Sequence, residues 1–213
     1  MGFLKTELAL RLYTAIILIP IVLFALKING DIFLAGMAII SCIALYELIK
    51  LWRDSSILSY VMLAITVFGL MAITYIGYGK GGFDRGLTLF LAICATDTCA
   101  YIFGRTIGGP KVAPKLSPKK TWAGLVGAML GAAAVFMWFY PKTLLEAFLL
   151  GCVFALLAQT GDFIESALKR RAAVKDSGRI LPGHGGILDR IDGLLLAAPA
   201  YLLFFQLKKM GVI

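Results

Sequence analysis

Seven runs of apolar residues dominate the chain, separated by short polar or charged stretches: Leu8–Leu26, Ile32–Leu51, Ile57–Tyr78, Leu87–Phe103, Trp122–Tyr140, Leu144–Ile164 and Ile187–Leu207. A helix needs about 17–25 residues to cross a hydrocarbon core roughly 30 Å thick at about 1.5 Å per residue. The pattern therefore predicts an all-α polytopic membrane protein with about seven transmembrane helices. The first run is too long for a signal-peptide core and no small-residue cleavage site follows it, so it is expected to remain as a helix. Pro20 and Pro199 fall inside the first and last runs, where membrane helices tolerate proline and often kink.

Composition agrees. Of 213 residues, 60% are hydrophobic and 15% charged, against roughly 45–50% and 25% in soluble domains. A water-soluble globule of this size could not bury so much apolar surface, which excludes an ordinary cytosolic enzyme, a secreted disulfide scaffold and a disordered regulator. The expectation is one integral membrane domain over 1–213, with N-terminal helices in 1–95 and a catalytic half in 96–213. Cys42, Cys94, Cys99 and Cys152 lie in apolar runs without zinc-like spacing and read as small buried hydrophobes.

The formal net charge is +9. On a soluble protein this would suggest nucleic acid. Here it points to anionic lipid headgroups or phosphorylated substrates, with no nucleic acid as partner. Fifteen of the 21 Lys and Arg residues fall on one side of the spans and six on the other. By the positive-inside rule the N-terminus and the basic face are expected to be cytoplasmic. Two connections on that face are long, Gly104–Thr121 and Glu165–Leu188, and they hold most of the chemically suggestive residues. The expected architecture is thus a helical bundle with a polar funnel at its cytoplasmic face.

Acids at membrane depth are costly, so each one asks for a reason. Asp97 lies about seven residues, or roughly 10 Å, inside the fourth run and shares a helix face with Tyr101 and Gly104. Glu47 is nearer its helix end and is expected to snorkel toward the headgroups. At the end of the sixth run, Asp162, Ser166 and Lys169 are expected to point one way, placing a carboxylate and an ammonium along one groove. In Pro182-Gly183-His184-Gly185-Gly186-Ile187-Leu188-Asp189-Arg190-Ile191-Asp192, glycines precede a helix whose first turns carry Asp189 and Asp192 on one face. Paired carboxylates suit Mg²⁺ shared with substrate phosphates, and amides at a helix start favour anions. Helix-dipole stabilisation and ordinary Gly-rich turns offer a structural alternative. His184, the single histidine, suits either a phosphate hydrogen bond or a structural role. Lys115-Leu116-Ser117-Pro118-Lys119-Lys120-Thr121-Trp122 supplies lysines that can meet phosphate or anchor the cytoplasmic interface, with Trp122 as a belt residue.

Together these residues resemble the phosphatidate cytidylyltransferase, or CDP-diacylglycerol synthase, family. Its C-terminal pattern is met by Ser166, Lys169, Arg170, Lys175, Asp176, Gly178, Pro182, His184, Gly185, Gly186, Asp189, Arg190 and Asp192. Asp97, Ala100, Tyr101, Gly104 and Arg105 look like its D-x-x-A-Y-x-x-G-R element, and Ser117-Pro118-Lys119-Lys120-Thr121 like its S-P-K-K-T. Ala123 stands where the family usually has Glu. The N-terminal helices, with Arg11 and Tyr46-Glu47, also look familial, although members are often longer and this chain lacks about two helices between Leu51 and Ile57.

The resemblance implies transfer of the cytidylyl group of CTP to phosphatidate, giving CDP-diacylglycerol and pyrophosphate, by a homodimer; size and the absence of a targeting presequence lead to the expectation of a bacterial inner membrane. It implies Mg²⁺ on Asp162, Asp189 and Asp192, with Asp97 a further ligand, and K⁺ as a second cation. Lys169 joins the catalytic set. Arg105, Ser117, Lys119, Lys120, Ser166, Arg170, Lys175, His184, Gly185, Gly186 and Arg190 are the expected contacts to triphosphate or lipid headgroup. A CTP-dependent polyprenol kinase and a CDP-archaeol synthase share this logic with a different lipid. A transporter would instead be expected to place its charges near the midplane.

Overall fold

A computed structural model describes the chain except residues 1, 115, 142, 143, 182, 184 and 213, and except the side chains of 2–12 and 15. Its helices are α1 (Gly2–Ile28), α2 (Gly30–Leu51), α3 (Ile57–Gly77), α4 (Gly82–Thr106), α5 (Trp122–Phe139), α6 (Leu144–Arg171) and α7 (Leu188–Lys209). The six from α2 to α7 are long and apolar enough to cross a membrane; in α1 the apolar stretch among the described side chains is Ile16–Ile28. The protein is an all-α polytopic membrane protein. Both α1 and α7 continue through their prolines, Pro20 and Pro199.

Two expected loops are structured. Helix α4 ends at Thr106, and a two-stranded antiparallel hairpin follows: β1 (Lys111–Ala113) pairs with β2 (Ser117–Thr121), Lys111 opposite Thr121. Its charged residues lack the alternation that marks a strand, so the sequence pattern read as loop. Helix α6 runs on to Arg171, seven residues past the end of its apolar run. Hydropathy locates where the bilayer ends, whereas the helix continues for two more turns into polar surroundings. Arg171 there makes an exposed 2.8 Å ion pair with Asp54 in the α2–α3 connection. The Ser56 hydroxyl and then Arg171 hold the Asp54 carboxyl below its ordinary range.

Close helix packing depends on small residues, as expected where lipid supplies no hydrophobic drive between helices. Added Cβ atoms at Gly127 and Gly131 of α5 would strike α4 at the Cys99 and Ala95 carbonyls, both 2.7 Å away. Helices α6 and α7 meet the same way: a Cβ at Gly193 would stand 2.9 Å from the Ala158 carbonyl oxygen, and one at Gly161 2.5 Å from that of Asp192. This backbone contact brings the polar ends of α6 and α7 together. Around it lie two apolar cores. One joins α3 to α7 around Phe136, Phe154 and Tyr201, and the other joins α1, α2, α3, α6 and α7 around Leu48, Met62, Leu168 and Leu195.

Candidate active site

The last turns of α6 and the first turns of α7 form a polar cluster. Asp162 and Glu165 are three residues apart on α6, and Asp192 comes from α7. One carboxylate oxygen of each lies within 4.8 Å of the others. Glu165 is fully buried, and its Oε1 has no hydrogen-bond partner among the described residues. Its Oε2 accepts from Lys169 Nζ at 2.7 Å, and the same ammonium donates to Asp189 Oδ1 at 2.6 Å. Asp162 is met from the other side by Lys120 of β2, whose ammonium also lies 4.6 Å from the Phe163 ring centroid. The Ser166 hydroxyl donates to Asp162 at 3.2 Å.

Beside Asp162 opens a cavity of about 200 Å³, lined by Asp97, Tyr101, Lys119, Lys120, Gln159 and Phe163 among others. Asp97 is exposed into it and interacts electrostatically with Lys120, Asp162 and Arg190. The hairpin, α4, α5 and α6 all contribute to its walls. Thr121 ends β2 and caps α5, its hydroxyl accepting from the Gly124 amide at 3.1 Å. Gly124 packs on the Ala100 carbonyl of α4, and the neighbouring Ala123, which departs from the family pattern, is half-buried.

The structure brings together Asp162, Asp192, Lys120 and Ser166 from the expected set, with Asp97 across the cavity. Asp189 is placed differently. Besides Lys169 on Oδ1, its Oδ2 accepts from the Ser177 amide at 2.8 Å, the Gly186 amide at 2.8 Å and the Ser177 hydroxyl at 3.0 Å. Lys169, one and two turns further along the same helix, is committed to Glu165 and Asp189. The Gly185 and Gly186 amides, read as free to meet phosphate, donate within the protein: Gly185 to Leu181 O at 3.1 Å and Gly186 to Asp189. Gly185 needs its residue type, since its φ of +84° closes the turn that pairs Leu181 with Gly185. Ser117 is half-buried in β2, while Arg105, Arg170, Lys175 and Arg190 are exposed. Arg105 donates to the Tyr101 hydroxyl, and Arg170 to Val174 O at 3.3 Å. His184 and Lys115 lie outside the described residues.

Two residues escaped the reading of the sequence. Glu165 was passed over because a Glu four residues before a Lys on a helix end reads as a solvated pair; its i, i+3 spacing from Asp162 was the available signal. Glu47 does not extend outward from the protein but is buried, accepting hydrogen bonds from the Ile187 and Leu188 amides.

Residues 53–208 match the model of the cytidylyltransferase family, which is most of the chain. The chain belongs to this family. It is 35% identical over 212 residues to the phosphatidate cytidylyltransferase of Rickettsia felis, covering 94% of this chain and 92% of the relative. The protein of the same name from Rickettsia bellii is 34% identical over 94% of this chain and 91% of its own. That from Brucella suis is 37% identical over 83% of this chain but 66% of its own length. As a membrane-embedded cytidylyltransferase, the protein needs a place for nucleotide phosphates. The site supplies lysines and carboxylates beside one cavity, at one end of the bundle.

Proposed function

We propose that this cytidylyltransferase transfers the cytidylyl group of CTP to phosphatidate, giving CDP-diacylglycerol and pyrophosphate, at the site between α6, α7 and the hairpin. One observation carries the reading: the three converging carboxylates of Asp162, Glu165 and Asp192, with Glu165 Oε1 buried and without a partner among the described residues. Like charges this close repel, and a buried acceptor without a donor costs about 1–3 kcal/mol. A hard divalent cation relieves both conditions, so the donor set fits Mg²⁺. Asp162, Glu165 and Asp192 would hold it. When bound, it supplies charge neutralisation to nucleotide phosphates and a template for them.

Asp189, saturated by donors, holds Lys169 and the 177–186 segment in this reading. Asp97 is the remaining carboxylate positioned to share a second cation such as K⁺. Lys119 and Lys120 border the cavity and meet the triphosphate, while the exposed Arg105, Arg170, Lys175 and Arg190 attract CTP and anionic headgroups. A phosphate oxygen of phosphatidate bonds to the α-phosphorus of CTP. The bond from that phosphorus to the bridging oxygen breaks, and its electron pair leaves with pyrophosphate. The nucleophile is already an anion, so the chain's residues position and neutralise rather than remove a proton.

The acyl chains stay in lipid, and the basic face lies at the cytoplasmic side of a bacterial inner membrane, with the N-terminus inside. A homodimer is the assembly expected from the resemblance.

The test is purified protein with labelled CTP, Mg²⁺ and a panel of lipids. Label in chloroform-soluble product and release of pyrophosphate, dependent on phosphatidate, are expected. Release of CDP with phosphorylated lipid would replace the reading by a polyprenol kinase, and a requirement for an archaeal ether lipid by a CDP-archaeol synthase. Solute flux in liposomes without product would leave a transporter.

A further inference from the structure

Glu47 of α2 lies just before Arg53, where the match to the family begins, and is 1% exposed. Its carboxylate holds the entry to α7. Oε1 accepts from the Ile187 amide at 3.2 Å, and Oε2 from the Leu188 amide at 2.8 Å. Ile187 caps α7 and supplies no side-chain hydrogen bond to it. Glu47 therefore does from another helix what a local Ser or Asp does elsewhere, satisfying first-turn amides and countering the positive end of the dipole.

Its second connection leads to the site. The Ser177 hydroxyl lies 3.1 Å from Glu47 Oε2 and 3.0 Å from Asp189 Oδ2, with one proton to give to either. Asp189 holds Lys169, and Lys169 holds Glu165. Added Cβ atoms at Gly178 and Gly186 would both collide with the Glu47 carboxylate, so both glycines pack directly against it.

We infer that Glu47 is a positioning residue for the cation site. It fixes the start of α7 and, through Ser177, Asp189 and Lys169, sets Asp192 and Glu165 against Asp162. The inference rests on the carboxylate site proposed above and brings the N-terminal helices into its construction. A carboxylate that only stabilised the fold would leave the affinity of the folded protein for a cation unchanged.

The experiment compares full-length wild type, Glu47→Gln and Glu47→Asp in detergent, reading Mn²⁺ affinity by electron paramagnetic resonance and amide exchange at 187–188. In Glu47→Gln the amide nitrogen replaces one acceptor, and Mn²⁺ affinity is expected to fall about 10–100-fold, the usual effect of losing a group that orients ligands. Exchange at 187–188 should accelerate, and Glu47→Asp, which keeps the charge, should recover part of the affinity. The Mg²⁺ concentration for half-maximal turnover should rise in parallel, with KM for CTP at saturating Mg²⁺ within about threefold of wild type. Wild-type Mn²⁺ affinity in Glu47→Gln overturns the inference. Should that variant not fold, Ser177→Ala cuts the same connection: reduced affinity supports the inference, and unchanged affinity overturns it. Failure of the wild type itself to bind Mn²⁺ brings down the carboxylate site, a result distinct from equal binding by wild type and variant.

Discussion

Lys120 of the hairpin is ion-paired to Asp162, one of the three carboxylates that converge between α6 and α7. The two residues are 42 positions apart, and their meeting joins the hairpin to the carboxylate cluster. In the absence of ligands the lysine acts as an internal counter-ion. A cation and a nucleotide arriving together can each take one partner of the pair, the carboxylate going to the metal and the ammonium to phosphate.

Removing that lysine separates the two roles. Lys120→Met should raise KM for CTP, since a phosphate partner is gone. It should leave Mn²⁺ affinity without nucleotide unchanged or higher, because Asp162 no longer has a competitor. Calorimetric Mn²⁺ titration alongside steady-state kinetics measures both. A drop in metal affinity would show that Lys120 supports the carboxylate site rather than competing for it.

Asp189 and Asp192 lie one turn apart yet should behave oppositely. Asp192→Asn relieves repulsion in a crowded carboxylate cluster, so thermal stability without metal should hold or rise while turnover falls about 10²–10³-fold, the scale of losing one strong electrostatic contact. Asp189→Asn should instead destabilise by about 1–3 kcal/mol, because Lys169 and the Ser177 and Gly186 amides lose an acceptor. Thermal unfolding in detergent without divalent cation discriminates. Destabilisation by both variants to the same extent would mean that the 2.8 Å bond from the Gly193 amide holds Asp192 as firmly as the several donors hold Asp189.

Much of this arrangement was legible along the chain, and what escaped has a common cause. Apolar runs located the seven helices because membrane crossing is a local property of some twenty consecutive residues. Asp162 and Asp192 stood out because carboxylates beside Gly-rich, basic segments are unusual in so apolar a chain. Glu47 was misread because its partners lie 130 to 141 residues away, and no local pattern encodes a cap supplied by another helix. The hairpin was missed because Ser117-Pro118-Lys119-Lys120-Thr121 has the composition of a loop. Helix spacing places Lys169 on the face of Asp162 and Ser166 but does not reveal the two carboxylates, Glu165 and Asp189, that it meets there.

The α6–α7 contact has little room to spare. Gly193→Ala would press a methyl group onto the Ala158 carbonyl, where the nearest approach is backbone. Overpacking of this kind costs about 1–3 kcal/mol. Because Asp192 is the adjacent residue, displacement of α7 should also spread the three carboxylates. Gly193→Ala is expected to lose both melting temperature and Mn²⁺ affinity. By contrast Gly36→Ala, where an added Cβ meets nothing within 4 Å, should lose neither. Equal losses in both variants would argue against close helix approach as the element that sets the site.

Cation removal gives the most direct reading of the carboxylate cluster. A ligand that binds only the folded state stabilises it by mass action, about 2.7 kcal/mol at a concentration one hundred times its Kd. In the proposed reading, relief of repulsion among Asp162, Glu165 and Asp192 would be the source of that binding energy. Wild-type protein treated with chelator should therefore melt at a lower temperature and recover on addition of Mg²⁺, in step with recovery of CDP-lipid synthesis. Glu165→Gln should gain little from Mg²⁺, whatever balance its metal-free melting temperature strikes between relieved repulsion in the cluster and the weakened ion pair with Lys169. A Glu165→Gln protein stabilised by Mg²⁺ as strongly as wild type would move the cation away from the buried Glu165 oxygen, leaving Asp97 and Asp162 beside the cavity as the ligands to test next.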